Sequence, residues 1–371
     1  MLICAGGTGG GVYPALAVHN ALKTAHADVQ TLWVGGEGGM ETRLVERAGV
    51  PFKAIPAAGV HGVAFRRLPG NLAAIMRGIR AAASILDEFK PDVLFFTGGF
   101  VAIPMAIAGR KLPIVLYVPD IEPGLALKAL AHFATCITVT SEESRQYFSR
   151  NANIVVTGYP IRKELAAWKR PDARKYLGIH NDLPVLLVFG GSKGAHSLNT
   201  AVIANLDKLL LQAEVVHISG ELDWPEIETR RSGLPDNLRT RYHAFPYLHE
   251  DMGAALAAAD LVVSRAGASV LGEFPQFGTP AILVPYPYAW RYQRVNADSL
   301  AKRGGALVLE DSRLESDLYA TVHNLLGTRE KLDDMSSAIS GLHTPKAAEN
   351  IAAQLFKLAR ETVVPPGDQN G

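Results

Sequence analysis

The stretch MLICAGGTGGGVYP, residues 1–14, decides the fold of the first half of this chain. It joins a short apolar run, Met1 to Cys4, to a loop with five glycines in six positions, and an apolar segment follows from Val12 to Leu22. A strand that leads through a glycine loop into a helix directs free backbone N–H groups at an anion, usually a phosphate. The alternative is a tight turn without a ligand, although a turn does not need so many glycines.

The rest of the chain alternates short apolar runs with helical patterns, twice over. Continuous apolar runs bounded by turn residues are typical of parallel strands that are buried on both faces of a sheet. In the first half we predict strands at 1–4, 30–34, 53–56, 92–97, 113–118, 136–140 and 154–157, and helices at 40–48, 71–89 and 124–132. In the second half we predict strands at 184–189, 214–218, 260–264, 280–284 and 307–309. The fold class is therefore α/β, with two Rossmann-like doubly wound domains facing a cleft.

Length and composition agree with two globular domains. The 371 residues suffice for two domains that each bury a core, and 48% of them are hydrophobic against 20% charged. We predict a first domain at 1–160, a linker near 158–170 and a second domain at 161–345. A C-terminal helix at 346–362 is expected to pack back on the first domain, ahead of a disordered polar tail at 363–371.

Composition also argues against several classes of protein. The formal net charge of +1 gives no reason to expect nucleic acid as a partner. The two cysteines, Cys4 and Cys136, lie in apolar runs, show no metal-ligand spacing and suit a reducing cytosol. No apolar run reaches about 18 residues, and the chain starts in a strand, so we expect neither a transmembrane helix nor a signal peptide.

A second glycine loop, within VFGGSKGAHSLN at 188–199, opens the second half. The predicted strand runs into Gly190–Gly194, and a helix follows. Lys193 is not the lysine of a P-loop, because the GxxxxGK[ST] spacing is missing, and no dinucleotide fingerprint is complete either. Two such loops, one at the first switch point of each half, predict a ligand in the cleft between the halves.

The segment from Ser264 to Ala297, SRAGASVLGEFPQFGTPAILVPYPYAWRYQRVNA, is more specific. A strand ends at its first serine, and the small-residue turn Gly267–Ser269 presents the N–H groups of a helix start to a phosphate. Glu273 follows one turn later, where its carboxylate could grip the two hydroxyls of a ribose. The alternative for Glu273 is a solvated helix residue. Gln293 and Asn296 lie one turn apart on one face of a later helix.

Five motifs resemble, in this order, those of one enzyme family: AGGTGGGVYPALAV, GGSKGA, SRAGASVLGE, GTPAILVPYP and QRVNA. They resemble the MurG family, bacterial glycosyltransferases that add N-acetylglucosamine to an undecaprenyl-linked muramyl pentapeptide, and the likeness covers residues 1–355. The resemblance implies a GT-B fold, with UDP-N-acetylglucosamine (UDP-GlcNAc) held mainly by the C-terminal half and a lipid-linked acceptor entering through the N-terminal half. It also implies peptidoglycan synthesis at the cytoplasmic face of the plasma membrane, by a peripheral protein without a cofactor.

The resemblance also implies roles for individual positions. The residues that would contact the nucleotide and its sugar are Arg162, Ser192, Leu248 (beside the uracil) and Gln293 (near the sugar). Those that would hold the diphosphate and the ribose are Ala268, Ser269, Val270, Leu271, Gly272 and Glu273. Those that would face the sugar and the acceptor are Thr8, Gly9 and Gly10.

The chain departs from the usual residues of the family at four places. The first loop of the family usually ends in histidine, where this chain has Gly11. The family's HEQN segment reads here as YVPD, Tyr117 to Asp120, and Tyr159 replaces the asparagine of a VGNP turn. A helix start that usually contains His-Gln is WRYQ, Trp290 to Gln293. Three alternatives therefore stay open: a different sugar or acceptor, such as a glycolipid; a sugar-nucleotide epimerase; and a non-catalytic binding relative.

The chemistry of sugar transfer has two requirements that can be assigned to residues. Inversion at the anomeric carbon is one in-line displacement with an oxocarbenium-like transition state. It needs a base for the acceptor hydroxyl and fixed positive charge for the departing diphosphate. The helix N-termini at Gly191–Gly194 and Gly267–Ser269, together with Arg162, supply positive charge without a metal.

Two carboxylates are the candidates for the base. Asp120, with Glu122 as the second choice, follows an apolar strand at the carboxyl edge where switch-point sites form. The alternative for Asp120 is the N-cap of a helix over Gly124 to Leu130.

The stretch AFRRLPGNLAAIMRGIRAAASIL, residues 64–86, combines an apolar stripe with basic residues. The stripe comprises Phe65, Leu68, Leu72, Ile75, Met76 and Ile79, and the flanking arginines are Arg66, Arg67, Arg77 and Arg80. A helix with arginines at the edge of its apolar face can lie on an anionic bilayer. The alternative is a helix that packs its stripe on the core, although a lipid-linked acceptor favours the membrane.

Overall fold

The computed structural model of the protein describes residues 1–6, 9–39, 41–58, 68–191, 194–249, 251–288 and 291–363. The chain divides into two compact units. Unit 1 consists of Met1–Arg162 and the segment that begins at Thr344, and unit 2 consists of Lys163–His343. Each unit has its own parallel sheet and its own core, so the prediction of two doubly wound α/β domains is confirmed.

The sheet of unit 1 has seven parallel strands. In chain order they are β1 (Leu2–Ala5), β2 (Leu32–Gly36), β3 (Phe52–Ile55), β4 (Leu94–Gly98), β5 (Ile114–Val118), β6 (Cys136–Val139) and β7 (Ile154–Val156). Their spatial order is β3-β2-β1-β4-β5-β6-β7. The order reverses between β1 and β4, and this is the switch point of unit 1, where ligands of such folds bind.

The sheet of unit 2 has six parallel strands in the order β10-β9-β8-β11-β12-β13. They are β8 (Val185–Phe189), β9 (Glu214–Ile218), β10 (Tyr242–Phe245), β11 (Leu261–Ser264), β12 (Ala281–Leu283) and β13 (Ala306–Val308). The switch point lies between β8 and β11. Each predicted strand overlaps an observed one, but β10 is missing from the prediction, because only its alternate residues Tyr242 and Ala244 are buried.

Helices cover both sheets and occupy the predicted linker. In chain order they are α1 (Gly9–Ala25), α2 (Glu41–Arg47), α3 (Leu68–Phe89), α4 (Ala102–Ala108), α5 (Leu125–Leu130), α6 (Lys163–Ala166), α7 (Arg170–Tyr176), α8 (His196–Leu210), α9 (Trp224–Ser232), α10 (Asp236–Arg239), α11 (Met252–Ala258), α12 (Val270–Phe277), α13 (Tyr292–Lys302), α14 (Leu314–Leu326), α15 (Arg329–Ser340) and α16 (Ala347–Val363). Among the described residues, none of these helices combines the length and the apolar character needed to cross a membrane. The predicted tail lies outside the described residues beyond Val363.

The core of unit 1 has two layers because successive strand residues point to opposite faces of the sheet. Ile3 and Phe95 belong to the layer that contains α1, and Leu2 and Phe96 belong to the layer that contains α4. The last helix, α16, packs against α1 and buries its apolar side in the first layer. Both ends of the chain therefore contribute to the same unit.

Candidate active site

The switch point of unit 2 brings the two predicted phosphate loops together. At the carboxyl ends of β8 and β11, Phe189 pairs with Ser264. Because the two strands run in the same direction, the loops that begin at Gly190 and Arg265 leave the sheet at the same edge. Helix α8 follows the first loop and α12 follows the second. This edge therefore gathers two helix N-termini, which is the arrangement that binds phosphate.

The loop after β8 requires glycine at two positions. Gly191 and Gly194 have φ angles of +90° and +76°, which residues with a side chain rarely adopt. The Gly194 amide donates to the Gly191 carbonyl at 3.0 Å. A Cβ atom at Gly194 would also collide with the carbonyl of Ser219, which follows β9. The predicted nucleotide contact Ser192, between these glycines, lies outside the described residues.

The start of α12 offers mainly backbone to a ligand. The amides of Val270 and Glu273 donate within the turn, to the carbonyls of Gly267 at 3.1 Å and Ser269 at 2.8 Å. Ala268 and Val270 are buried, so their side chains pack in unit 2. A phosphate would therefore be bound by amides ahead of Val270 in the turn.

The remaining predicted residues of α12 differ in burial. Gly272 is buried, whereas Ser269, Leu271 and Glu273 are half-buried. The Glu273 carboxylate belongs to the first turn of α12. Glu273 is therefore not fully solvated, and a carboxylate can accept hydrogen bonds from both hydroxyls of a ribose.

A buried arginine, which the sequence patterns do not single out, holds this edge together. The Arg265 guanidinium donates to the Val284 carbonyl at 3.3 Å, to Ser197 Oγ at 2.8 Å and to Asp311 Oδ1 at 2.5 Å. Its central carbon lies 5.3 Å from the centre of the Tyr286 ring. One cation thus joins the first turn of α8 to the chain after β11, β12 and β13. The signal that could have found it is an arginine between a buried strand and a turn of small residues.

Gln293 and Asn296 on α13 hold two neighbouring loops. Asn296 is buried, and its Nδ2 donates to the Ala266 carbonyl at 3.1 Å. Gln293 Oε1 accepts a hydrogen bond from the Tyr286 amide at 2.9 Å. Leu248, the predicted neighbour of the uracil, is half-buried in the loop after β10. The two amide side chains therefore hold the loops that follow β11 and β12.

A buried polar network, also not predicted, lies beneath the loop after β8. His217 Nε2 contacts Asn199 Oδ1 at 3.0 Å, and His217 Nδ1 contacts the Tyr242 hydroxyl at 2.8 Å. Asn199 Nδ2 donates to the Ser219 carbonyl at 2.8 Å and to Asp223 Oδ2 at 2.6 Å. Burial lowers the pKa of His217 to about 4. The ring is therefore neutral near pH 7, and the network fixes α8 to β9 and β10 without a buried cation.

The switch point of unit 1 contains the first glycine loop and a second turn that the sequence patterns do not predict. Gly98, the last residue of β4, and Gly99 have φ angles of +113° and +88°. A Cβ atom at Gly99 would lie 2.8 Å from the Gly6 carbonyl oxygen, so the two turns are in close contact. Thr97 Oγ1 donates to the Gly11 carbonyl at 2.9 Å. Two adjacent glycines after a strongly apolar strand are the signal that could have revealed this turn.

The predicted residues of the first loop lie at the start of α1. Gly9 and Gly10 form its first turn, and Thr8 lies outside the described residues. The Arg162 guanidinium stacks on the ring of Tyr13, 4.3 Å from its centre. Arg162 therefore belongs to unit 1 and lies beside α1, and the contact with the nucleotide that the resemblance implies stays a prediction.

The two predicted bases follow β5 and differ in their surroundings. Asp120 is half-buried, two residues beyond Val118. The N-cap of α5 is Gly124, with no side-chain cap, so the interpretation of Asp120 as a helix cap is wrong. Glu122 Oε1 lies 3.4 Å from Lys128 Nζ. This ion pair engages the Glu122 carboxylate, and the choice of Asp120 as the first candidate for the base stays a prediction.

Tyr117, in the same YVPD segment, is a structural residue. Its side chain is fully buried, and its hydroxyl contacts Thr140 Oγ1 at 2.7 Å. Burial raises the pKa of Tyr117 well above its usual value, and the nearby charge of Asp120 raises it further. The phenol therefore stays protonated and has no access to a substrate, which leaves Asp120 as the ionisable group of this segment.

The predicted membrane-facing helix exposes two residues of its apolar stripe and packs its other side on unit 1. Leu72 and Met76 on α3 are 52% and 54% exposed, whereas Ala82 and Ile85 lie in the core. Gly78 is also buried, and Ile75 and Ile79 are half-buried, so one side of α3 packs on unit 1 in both halves of the helix. Arg77 and Arg80 are exposed. Of the remaining predicted positions, Phe65, Arg66, Arg67 and the side chain of Leu68 lie outside the described residues.

Comparisons with known proteins agree with this geometry over both units. Residues 1–139 match the glycosyltransferase family 28 N-terminal domain, and residues 185–351 match its C-terminal domain. Two relatives are named UDP-N-acetylglucosamine–N-acetylmuramyl-(pentapeptide) pyrophosphoryl-undecaprenol N-acetylglucosamine transferase. The protein of Roseiflexus sp. is 37% identical over 95% of this chain and 93% of its own length. That of Desulforudis audaxviator is 38% identical over 97% of this chain and 98% of its own.

Solved structures agree as well. The crystal structure of Acinetobacter baumannii MurG superposes with a TM-score of 0.76 at 26% identity, covering 96% of this chain and 99% of that one. A UDP-GlcNAc 2-epimerase from Neisseria meningitidis, solved with UDP-GlcNAc, gives a TM-score of 0.68 at 12% identity over 96% of this chain and 99% of that one. The epimerase shares the fold alone. By its sequence relatives and its domains, the chain belongs to the MurG family of glycosyltransferases.

Proposed function

We propose that this protein transfers N-acetylglucosamine from UDP-GlcNAc to an undecaprenyl-diphosphate-linked muramyl pentapeptide. The observation that carries the proposal is the switch point of unit 2, where two helix-opening loops meet beside Glu273. This arrangement suits a nucleoside diphosphate, and the relatives are named for the same donor and acceptor. Unit 2 is then the UDP-sugar domain, and unit 1 is the acceptor domain.

The reaction is a single displacement at the anomeric carbon. An acceptor hydroxyl oxygen forms a bond to this carbon, while the bond from the carbon to the UDP oxygen breaks and UDP leaves with the electron pair. The proton of the hydroxyl passes to a carboxylate, for which we propose Asp120. The helix N-termini at Gly191–Gly194 and Gly267–Ser269 stabilise the charge that develops on the diphosphate.

Replacement of Glu273 tests the donor site. We expect Glu273→Ala to weaken UDP binding by about 1–3 kcal/mol, because a charged hydrogen bond to the ribose is lost. Calorimetric titration of the protein with UDP measures this change. The matched control is Glu228→Ala, which removes an exposed glutamate of unit 2 on α9 and should leave UDP affinity unchanged. Equal UDP affinity in wild type and Glu273→Ala would remove Glu273 from the site.

We also propose that unit 1 binds the cytoplasmic face of the plasma membrane through the first half of α3. Leu72 and Met76 are exposed there together with Arg77 and Arg80. Because α3 precedes β4 in a parallel sheet, its first turns lie at the carboxyl edge, the same edge as the first glycine loop. A lipid-linked acceptor would thus meet apolar and basic groups close to its proposed site.

Charge reversal on α3 tests the membrane proposal. A basic residue near an anionic surface contributes about 1 kcal/mol, so Arg77→Glu/Arg80→Glu should reduce sedimentation with phosphatidylglycerol vesicles at least about tenfold. Higher salt should weaken the binding of the wild type. Arg110→Glu/Lys111→Glu, with the same change of charge beyond the far end of α4, should bind as the wild type does. Salt-independent binding, or no binding by the wild type, would contradict the proposal.

A further inference from the structure

A buried glutamate with no part in the proposed reaction lies beneath the first glycine loop. Glu41 is the first residue of α2, and its side chain is 2% exposed. Its Oε1 accepts a hydrogen bond from the Gly36 amide at 2.9 Å, at the end of β2. A carboxylate is strongly unfavourable in a protein interior unless hydrogen bonds compensate for the lost water. The buried Glu41 carboxylate therefore calls for a structural or functional explanation.

The Glu41 carboxylate shapes the chain on both sides of it. Gly6 is the first residue after β1, and a Cβ atom built there would lie 2.8 Å from Glu41 Cδ. A Cβ atom at Gly39 would overlap the same carboxylate. A side chain at Gly6 or Gly39 would therefore force either the Glu41 carboxylate or the chain around the glycine to move.

The charge of Glu41 acts at the end of β1 as well. Burial raises the pKa of the Cys4 thiol, and the negative charge of Glu41 raises it further. Cys4 is the last but one residue of β1, two positions ahead of Gly6. The carboxylate therefore lies at the point where the chain leaves the sheet and enters the glycine loop, and it links the ends of β1 and β2.

We infer that Glu41 is a positioning residue for the first glycine loop. Its carboxylate fills the space between Gly6 and Gly39, and it sets the position of Gly6, where the chain leaves β1. The acceptor then meets a loop whose first residue is fixed before binding, which reduces the cost of ordering the site. The assignment of this loop to the acceptor rests on the proposed function.

Substitutions at Glu41 and Gly6 test the inference. Glu41→Gln keeps the volume but removes the charge, and we expect it to raise KM for the lipid-linked acceptor about tenfold with UDP affinity unchanged. Gly6→Ala should have a similar effect, because its methyl group meets the carboxylate. In Gly6→Ala/Glu41→Ala the obstacle is gone, so part of the loss caused by Gly6→Ala should be recovered. Glu46→Gln, at an exposed position of the same helix, is the control.

Hydrogen exchange separates this inference from the proposed function. Faster amide exchange in the first turn of α1 in Glu41→Gln, with exchange in unit 2 unchanged, supports the positioning role. Unchanged exchange there would overturn it. A lower kcat with both KM values unchanged, which indicates a simple loss of folded protein, would also overturn it. Faster exchange with an unchanged acceptor KM would support the positioning role and instead overturn the assignment of the acceptor to unit 1.

Discussion

Replacement of Asp120 by asparagine is expected to lower turnover by about 10²–10⁴-fold, the usual loss for an acid–base group. Asparagine has nearly the volume of aspartate but cannot accept the proton of the attacking hydroxyl. Donor affinity should not change, because the UDP site that we propose belongs to unit 2. The measurement is the rate of transfer of radiolabelled N-acetylglucosamine to a polyprenyl-diphosphate-linked muramyl peptide, together with a calorimetric titration of UDP.

Glu122→Gln is the matched comparison for Asp120→Asn. Glu122 is paired with Lys128, so its loss should affect turnover far less than the loss of Asp120. If turnover survives in Asp120→Asn and disappears in Glu122→Gln, the two roles are exchanged. If both variants stay active, the base lies elsewhere. The family's usual histidine is no substitute, because position 11 is glycine, and a Cβ atom there would lie 3.2 Å from Thr97 Oγ1.

Replacement of Arg265 by methionine is expected to destabilise unit 2 by about 3 kcal/mol, since it leaves a carboxylate in a largely buried place without its cation. Arg265 is 8% exposed and Asp311 is 21% exposed, so water compensates only in part. The same change removes the donor to Ser197 in the first turn of α8. The measurement is the free energy of opening for the amides of β11, from hydrogen exchange in increasing urea.

The control for Arg265 is an exposed arginine with two carboxylate partners. Arg294 on α13 contacts Asp298 at 2.8 Å and Glu310 at 2.5 Å, and half of its side chain is exposed. Arg294→Met should cost about 0–1 kcal/mol, as solvated ion pairs do. Arg265→Met/Asp311→Leu should regain part of the stability, because both charges are then gone. Equal costs for Arg265→Met and Arg294→Met would show that the buried arginine has no special role.

The features that the sequence predicts well are those with a local signal. Apolar runs give the positions of twelve strands to within a few residues, and glycine loops after them mark both switch points. β10 has no such signal, because it buries only alternate residues. The Thr97–Gly99 turn does have a local signal, its pair of glycines, but such a pair is common in ordinary turns.

The residues that escape prediction depend on partners far away in the chain. Arg265 resembles a surface residue until Ser197 and Asp311 are brought to it. Glu41 resembles the solvated glutamate of a helix start, and only the meeting of β1 and β2 shows that it is buried. The stacking of Arg162 on Tyr13 is a third example, since only the fold brings this arginine to the ring on α1. Burial and pairing of this kind are tertiary properties, which no short pattern contains.

The packing of α16 on α1 has a consequence for biosynthesis. Ile351 and Leu355 are buried in the layer that contains α1, yet the ribosome makes them only after the whole of unit 2. A nascent chain can therefore fold unit 2 while unit 1 still exposes the apolar groove that α16 will fill. The unit that we assign to the lipid acceptor is completed last, so an unfinished chain can fold its UDP-sugar domain before the core of unit 1 is complete.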